Sequence, residues 1–221
     1  MNFTSRFTIL MRVLFLWVLT ISWAFSQAVV LPKPAAELPK IMQEWAAAQK
    51  GMADMQVAFQ QTRTIPALKE PAKSKGTFWR FQDGAFRWEL GDPVATVLVH
   101  DLKEFRVRES AAAPWQVLEE DDARYRMWAR FLSGREASPE DLTRHFLVKE
   151  ADDFPGVATI TLRPKAPFVR RYLRQLDLQI SRESKRLLQL RVIQGDGSVV
   201  LMQFAEPRSV SAADKAKLLS R

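Results

Sequence analysis

The stretch Lys75–Asp101, KGTFWRFQDGAFRWELGDPVATVLVHD, limits the fold more than any other part of the chain. Trp79 and Phe81 alternate with Arg80 and Gln82, and Phe86, Trp88 and Leu90 alternate with Ala85, Arg87 and Glu89. Side chains two apart lie on one face of a strand, so the pattern predicts two strands. Asp83-Gly84 between them suits a tight turn. This reading puts Trp79, Phe81, Phe86, Trp88 and Leu90 on one face. Gly91-Asp92-Pro93 ends the second strand, because Pro cannot donate to a central ladder. Thr96–His100 follows as a third strand, with Val97 and Val99 facing one way. An antiparallel sheet with a broad aromatic face must have that face covered by core, by helices or by a ligand.

The rest of the chain extends the sheet. Leu38, Ile41, Met42, Trp45, Ala48 and Met52 recur at helical spacing, which predicts a helix over Glu37–Met52. At Met55, Val57 and Phe59 the period changes to two, and a strand follows. Phe105 with Val107, and Trp115 with Val117, predict two more strands. Glu119–Asp122 reads as the acidic first turn of a helix, where the dipole favours negative charge. Tyr125, Trp128, Phe131 and Leu132 lie on one face of that helix, and Gly134 is its stop. Ser138-Pro139-Glu140-Asp141 starts another, with Ser at the N-cap and Pro at N1. Strands resume at Phe146–Val148, Val157–Leu162, Leu176–Ile180, Leu188–Val192 and Val200–Phe204. Ser211–Leu219 predicts a terminal helix with Ser211 and Asp214 as a capping pair. The total is about eleven strands and three or four helices in a β-rich α+β fold.

The first residues read as an export signal. Arg6 and Arg12 form a basic segment, and Val13–Ile21 is an apolar run too short to favour a membrane span. Small residues around Ser26 and Ala28 place cleavage near Ala28. The expected organisation is a signal peptide over 1–28 and one domain over 29–221. Loss of Arg6 and Arg12, with no acid, takes the net charge from +8 to +6. There is no Cys, so disulfides, thiolate metal sites and lipidated Cys are excluded.

Catalytic signatures are missing from the sequence. His100 and His145 are isolated and lack metal-ligand spacing. The chain has no G-x-S-x-G, H-E-x-x-H or P-loop. Gly195-Asp196-Gly197 joins two strands and precedes no helix, so it is a hairpin turn. The residues after position 28 hold ten Phe and five Trp against two Tyr. Singly, each aromatic is an ordinary core residue. As a set on a large curled sheet, they predict an apolar cavity of the kind that binds acyl chains.

These features resemble the outer-membrane lipoprotein carrier (LolA) family. The resemblance is carried by Phe59-x-Gln61, Gly76-x-Phe78-Trp79, Phe86-x-Trp88, Pro93 and Val97-Leu98-Val99-x-Asp101-x-Lys103. Leu162-Arg163-Pro164-Lys165 adds a later turn. What the resemblance implies is an incomplete antiparallel β-barrel of about eleven strands with a helical lid. It also implies a monomeric periplasmic carrier that takes lipoprotein acyl chains, or a related lipid, from an inner-membrane transporter to an outer-membrane acceptor, without a cofactor or catalysis. The expected cavity residues are Met55, Val57, Phe59, Trp79, Phe81, Phe86, Trp88, Leu90, Val97 and Val99. Trp128 and Phe131 are the lid candidates. Gln82 stands where the family commonly has a lid-tying Arg, so the lid is expected to open more readily; alternation places Arg80 and Arg87 on the face opposite Trp79 and Trp88. The rival readings are a signalling or adaptor domain of the same fold that binds a protein partner, and a hydrolase with an unfamiliar site.

Overall fold

The computed structural model describes residues 38–50, 52–119 and 139–220. One antiparallel sheet dominates it. The strands are β1 (Met55–Thr64), β2 (Ala72–Arg80), β3 (Phe86–Gly91), β4 (Val94–His100), β5 (Phe105–Arg108), β6 (Gln116–Leu118), β7 (Phe146–Phe154), β8 (Val157–Pro164), β9 (Leu173–Ser181), β10 (Leu187–Gln194), β11 (Val199–Phe204) and β12 (Arg208–Ser209). Their order is β6-β5-β4-β3-β2-β1-β11-β10-β9-β8-β7, with β12 paired to β1. The edges β6 and β7 do not pair with each other, so the barrel is incomplete, as expected. The helices are α1 (Lys40–Lys50), α2 (Pro139–His145), α3 (Pro167–Arg170) and α4 (Ala212–Leu219). The expected helix carrying Trp128 and Phe131 lies outside the described residues.

Helix α1 defines the inner face of the sheet. Its Ile41 and Met42, with Leu38 just before it, pack on Ala158, Ile160, Leu162, Leu176, Leu178, Ile180 and Leu190. A second cluster on the same face joins Phe59, Phe86, Trp88, Leu98, Phe105, Val107 and Leu118. The i, i+3, i+4 spacing of the α1 residues is what lets one helix face cover several strands.

Close approach requires glycine at Gly76. It faces Phe59 across β1 and β2, and a Cβ there would collide with the Phe59 ring and with the Glu89 carbonyl. The ring fills that space and stacks on Trp88 at 5.7 Å.

Helix α4 closes the outer face of β3–β5. Ser211 Oγ accepts from the Asp214 amide at 3.2 Å and caps its start. Its last carbonyls, which helix geometry leaves unpaired, take two arginines from the sheet. Arg87 Nη1 donates to Leu218 O at 2.8 Å and Arg106 Nη2 to Leu219 O at 2.6 Å. Arg106 is only 4% exposed and also pairs with Asp101 and Glu104. Partial burial pushes the Asp101 carboxyl up, but the amides of Glu104 and Lys103 and the charge of Arg106 outweigh it, and the net direction is down. Its contribution is therefore present above the unfolded carboxyl value of about 3.9 and lost as pH falls through the lower folded value. In urea titrations, Asp101→Asn is expected to lack about 1 kcal/mol at neutral pH and to show a flatter acid profile than wild type. Identical acid profiles would remove Asp101 from this role.

Candidate lipid-binding face

The strand register decides which aromatic side chains share a face. Val57 pairs with Phe78, Phe78 with Trp88, Trp88 with Leu98, and Leu98 with Val107. Met55 pairs with Arg80, Arg80 with Phe86, Phe86 with His100, and His100 with Phe105. Directly paired residues point the same way, so both rows belong to the inner face. Of the expected cavity residues, Met55, Val57, Phe59, Phe86, Trp88 and Leu90 are brought together there.

Trp79, Phe81, Val97 and Val99 are not. Trp79 pairs with Gln56 and Arg87 on the outer face, and its Nε1 donates to Gln56 Oε1 at 3.0 Å. Phe81 lies under Lys215 of α4, with the ammonium 5.0 Å from the ring centre. Val99 sits between Arg87 and Arg106, and Val97 between Glu89 and Arg108. Both valines are fully buried, but on the outer side. The cause is the hairpin connection. Phe81–Ala85 forms a five-residue loop, closed by Phe81 N to Ala85 O at 3.0 Å, with Gly84 at φ 96°. An odd loop count reverses the face relation that a two-residue turn at Asp83-Gly84 would have set.

The register also adds residues that alternation alone had left out. Phe78 and Leu98 come from the other parity of β2 and β4. Met202 and Phe204 of β11 join through the pairs Gln61–Met202 and Phe59–Phe204. Phe78, Leu90, Met202 and Phe204 are only partly buried at the edge of the aromatic cluster. Phe86 and Phe105 are fully buried and meet edge to face at 5.7 Å.

Arg80 also moves to the inner face. Its Nη1 donates to Gln49 Oε1 at 2.8 Å and its Nη2 to Gln49 O at 2.6 Å. Gln49 lies in the last turn of α1, where carbonyls lack partners and the dipole favours a cation. Burial pushes the guanidinium pKa down, though Arg stays charged at neutral pH. Gln82 does not face α1 in this way. It is exposed, and its described contact is a backbone amide donated to Asp54 Oδ1 at 2.7 Å. The arginine that holds the helix is therefore Arg80, two residues before the expected place. Glu44 gives α1 a second tie, to Lys185 at 2.6 Å. The hydrogen bond from Lys185 holds the Glu44 carboxyl below its usual value.

A groove of about 630 Å³ is lined by Phe59 and Phe204 of the aromatic cluster together with Ala58, Gln60, Lys75, Thr77 and Glu89. The last five lie at strand positions of the outer-face parity, so apolar and polar residues share the walls of the groove. Among the described residues no group of His, Asp and Glu is arranged to hold a metal ion. No described helix is long and apolar enough to cross a membrane.

The model of the outer membrane lipoprotein carrier protein LolA family matches residues 50–217. The chain belongs to the LolA family. A comparison with curated proteins finds no match. Among solved structures, this LolA-family chain is similar to an outer-membrane lipoprotein-sorting protein domain from Vibrio parahaemolyticus, at 13% identity, over 82% of this chain and 97% of that one, with a TM-score of 0.43. A LolA superfamily protein from Nitrosomonas europaea matches at 11% identity, over 85% and 99% of the two chains, with a TM-score of 0.42. The MucA/MucB complex of Pseudomonas aeruginosa matches at 14% identity, over 82% of this chain and 60% of that one, with a TM-score of 0.42.

Proposed function

We propose that this LolA-family protein is a periplasmic carrier of acyl lipids, lipoprotein acyl chains among them, between an inner-membrane donor and an outer-membrane acceptor. The observation that carries the reading is the inner face of β1–β5 and the adjoining β11. There the half-buried Phe78, Leu90 and Phe204 border a buried aromatic cluster, while α1 covers the neighbouring half of the sheet. An acyl chain laid on that border gains apolar burial worth about 25 cal/mol per Å². The cargo is bound and released without a covalent step, so the reading needs neither a cofactor nor a catalytic group.

The test is to purify the protein from the periplasm and analyse its organic extract by mass spectrometry. A co-purifying acyl lipid is expected, on a polypeptide whose N-terminus lies near residue 29. An empty extract, together with no quenching of Trp88 fluorescence by added fatty acid, would reject the carrier and favour a protein-binding adaptor. An intact Met1 on exported protein would reject cleavage alone.

A further inference from the structure

The far end of the inner face carries a cluster of polar atoms that the acyl chain does not use. Arg63 is two residues past Gln61 on β1 and pairs with Val200 of β11. Val200 pairs with Val192 of β10. Gln194 ends β10 and Ser198 immediately precedes β11, each two residues on from that pair, and Gln194 N donates to Ser198 O at 2.9 Å. Alternation thus places Arg63, Ser198 and Gln194 on the inner face within one diagonal step of each other. Arg63 Nε and Nη2, Ser198 Oγ and Gln194 Oε1 are all buried and have no hydrogen-bond partner among the described residues. Ser198 is fully buried.

Leaving such atoms unpaired costs free energy, most of all for a guanidinium. Their chemistry is complementary to one kind of group. Nε and Nη2 form one edge of the Arg63 fork, the edge that grips an oxyanion through two parallel bonds. Ser198 Oγ supplies a third donor. Gln194 Oε1 is an acceptor and wants a hydroxyl. The nearby acid Asp196 is engaged by the Ser198 amide at 2.8 Å. Exposed Arg170 and Arg171 lie behind the turn, where Gly195 N donates to Tyr172 O. Another buried nitrogen without a hydrogen-bond partner among the described residues, Nε of Arg108, lies on the outer face, where the guanidinium sits over Trp115.

Resting on the carrier reading above, we infer that the Arg63–Ser198–Gln194 cluster binds the head of the cargo, and that this head is a glycerol phosphate. The phosphate takes the Arg63 edge and Ser198, and the glycerol hydroxyl donates to Gln194. Arg63 lies four residue steps along β1 from Phe59, about 13 Å at strand rise, so the acyl chain runs from the cluster toward the aromatic border.

A matched pair of lipids tests this. Monoolein and its phosphate monoester, oleoyl glycerol phosphate, differ only in the oxyanion. Wild type is expected to bind the phosphate on the order of tenfold more tightly, the usual worth of a charge-assisted pair of bonds. Arg63→Met is expected to lose that preference while binding monoolein as before. Glycerol 3-phosphate without a chain should compete only weakly. Equal wild-type affinities for the two lipids would overturn the head-group site and leave the carrier intact. So would an Arg63→Met variant that weakens both lipids alike, or glycerol 3-phosphate that competes as well as the lipid. Wild type that binds neither lipid would overturn the carrier reading and the site with it. If Arg63→Met does not fold, Ser198→Ala is read in the same way, with a smaller expected loss of preference.

Discussion

Arg80→Met is expected to release the end of α1 and to cost about 3 kcal/mol in urea denaturation. The figure follows from two hydrogen bonds to a charged donor in a partly buried place, at about 1.5–3 kcal/mol each, less what the freed Gln49 groups regain from water. The stability loss should be local as well as global. Amide protection over Lys40–Lys50 is expected to fall more than protection of the sheet, because only the helix end loses a partner. Entry of a fluorescent fatty acid should become faster if α1 limits access. Gln82→Arg serves as the control: its position is exposed and offers α1 nothing described, so uptake should not change. Unaltered α1 protection in Arg80→Met would mean that the arginine does not hold the helix.

Phe86→Ala is expected to cost about 3–5 kcal/mol, the range for a buried aromatic. The ring is fully buried and touches His100 at 5.4 Å, Phe105 at 5.7 Å and Phe78 at 6.2 Å. Phe86→Glu should cost more than Phe86→Ala, since the carboxylate would be fully buried and the neighbouring cation on its row, Arg80, is already bound to Gln49. Phe204→Ala and Leu90→Ala should each cost nearer 1 kcal/mol, because both side chains are already partly open and fewer packed contacts are lost. Their effect should appear in lipid affinity instead. The contrast divides the inner face into anchors and contacts. A Phe86→Ala protein that kept wild-type stability but lost lipid would move Phe86 from the first group to the second.

The strands were legible because each half-buried strand writes its alternation into the sequence. Val57–Phe59, Phe86–Leu90 and Val200–Phe204 needed only the period of two. What alternation cannot state is how two strands are phased across a loop. The same letters around Asp83-Gly84 fit a two-residue turn and a five-residue loop. Only backbone pairing chose the second, which turned Trp79 and Phe81 outward. Val97 and Val99 misled for another reason. Apolar and fully buried, they lie on the outer side among arginines, and nothing near them announces the distant α4 carbonyls. Arg80 was hidden by the same phase error. The Ser211–Asp214 pair was readable since a cap is a local interaction.

The two apolar clusters of the inner face meet through very little. Among the described residues, only Met202 and Phe204 pack against both, and each is partly buried. Both sit on β11, whose neighbour β1 carries the aromatic half while β10 carries the half under α1. The sheet thus has a seam. Bending there changes curvature without emptying either cluster, and unbroken backbone pairs across β1 and β11 keep the halves joined. A volume that must open for one guest and shrink when vacant needs such a place of low resistance. The seam is bridged by one unbranched side chain, Met202, and by the Phe204 ring, which keeps its contact with Phe59 at 6.0 Å on the aromatic side.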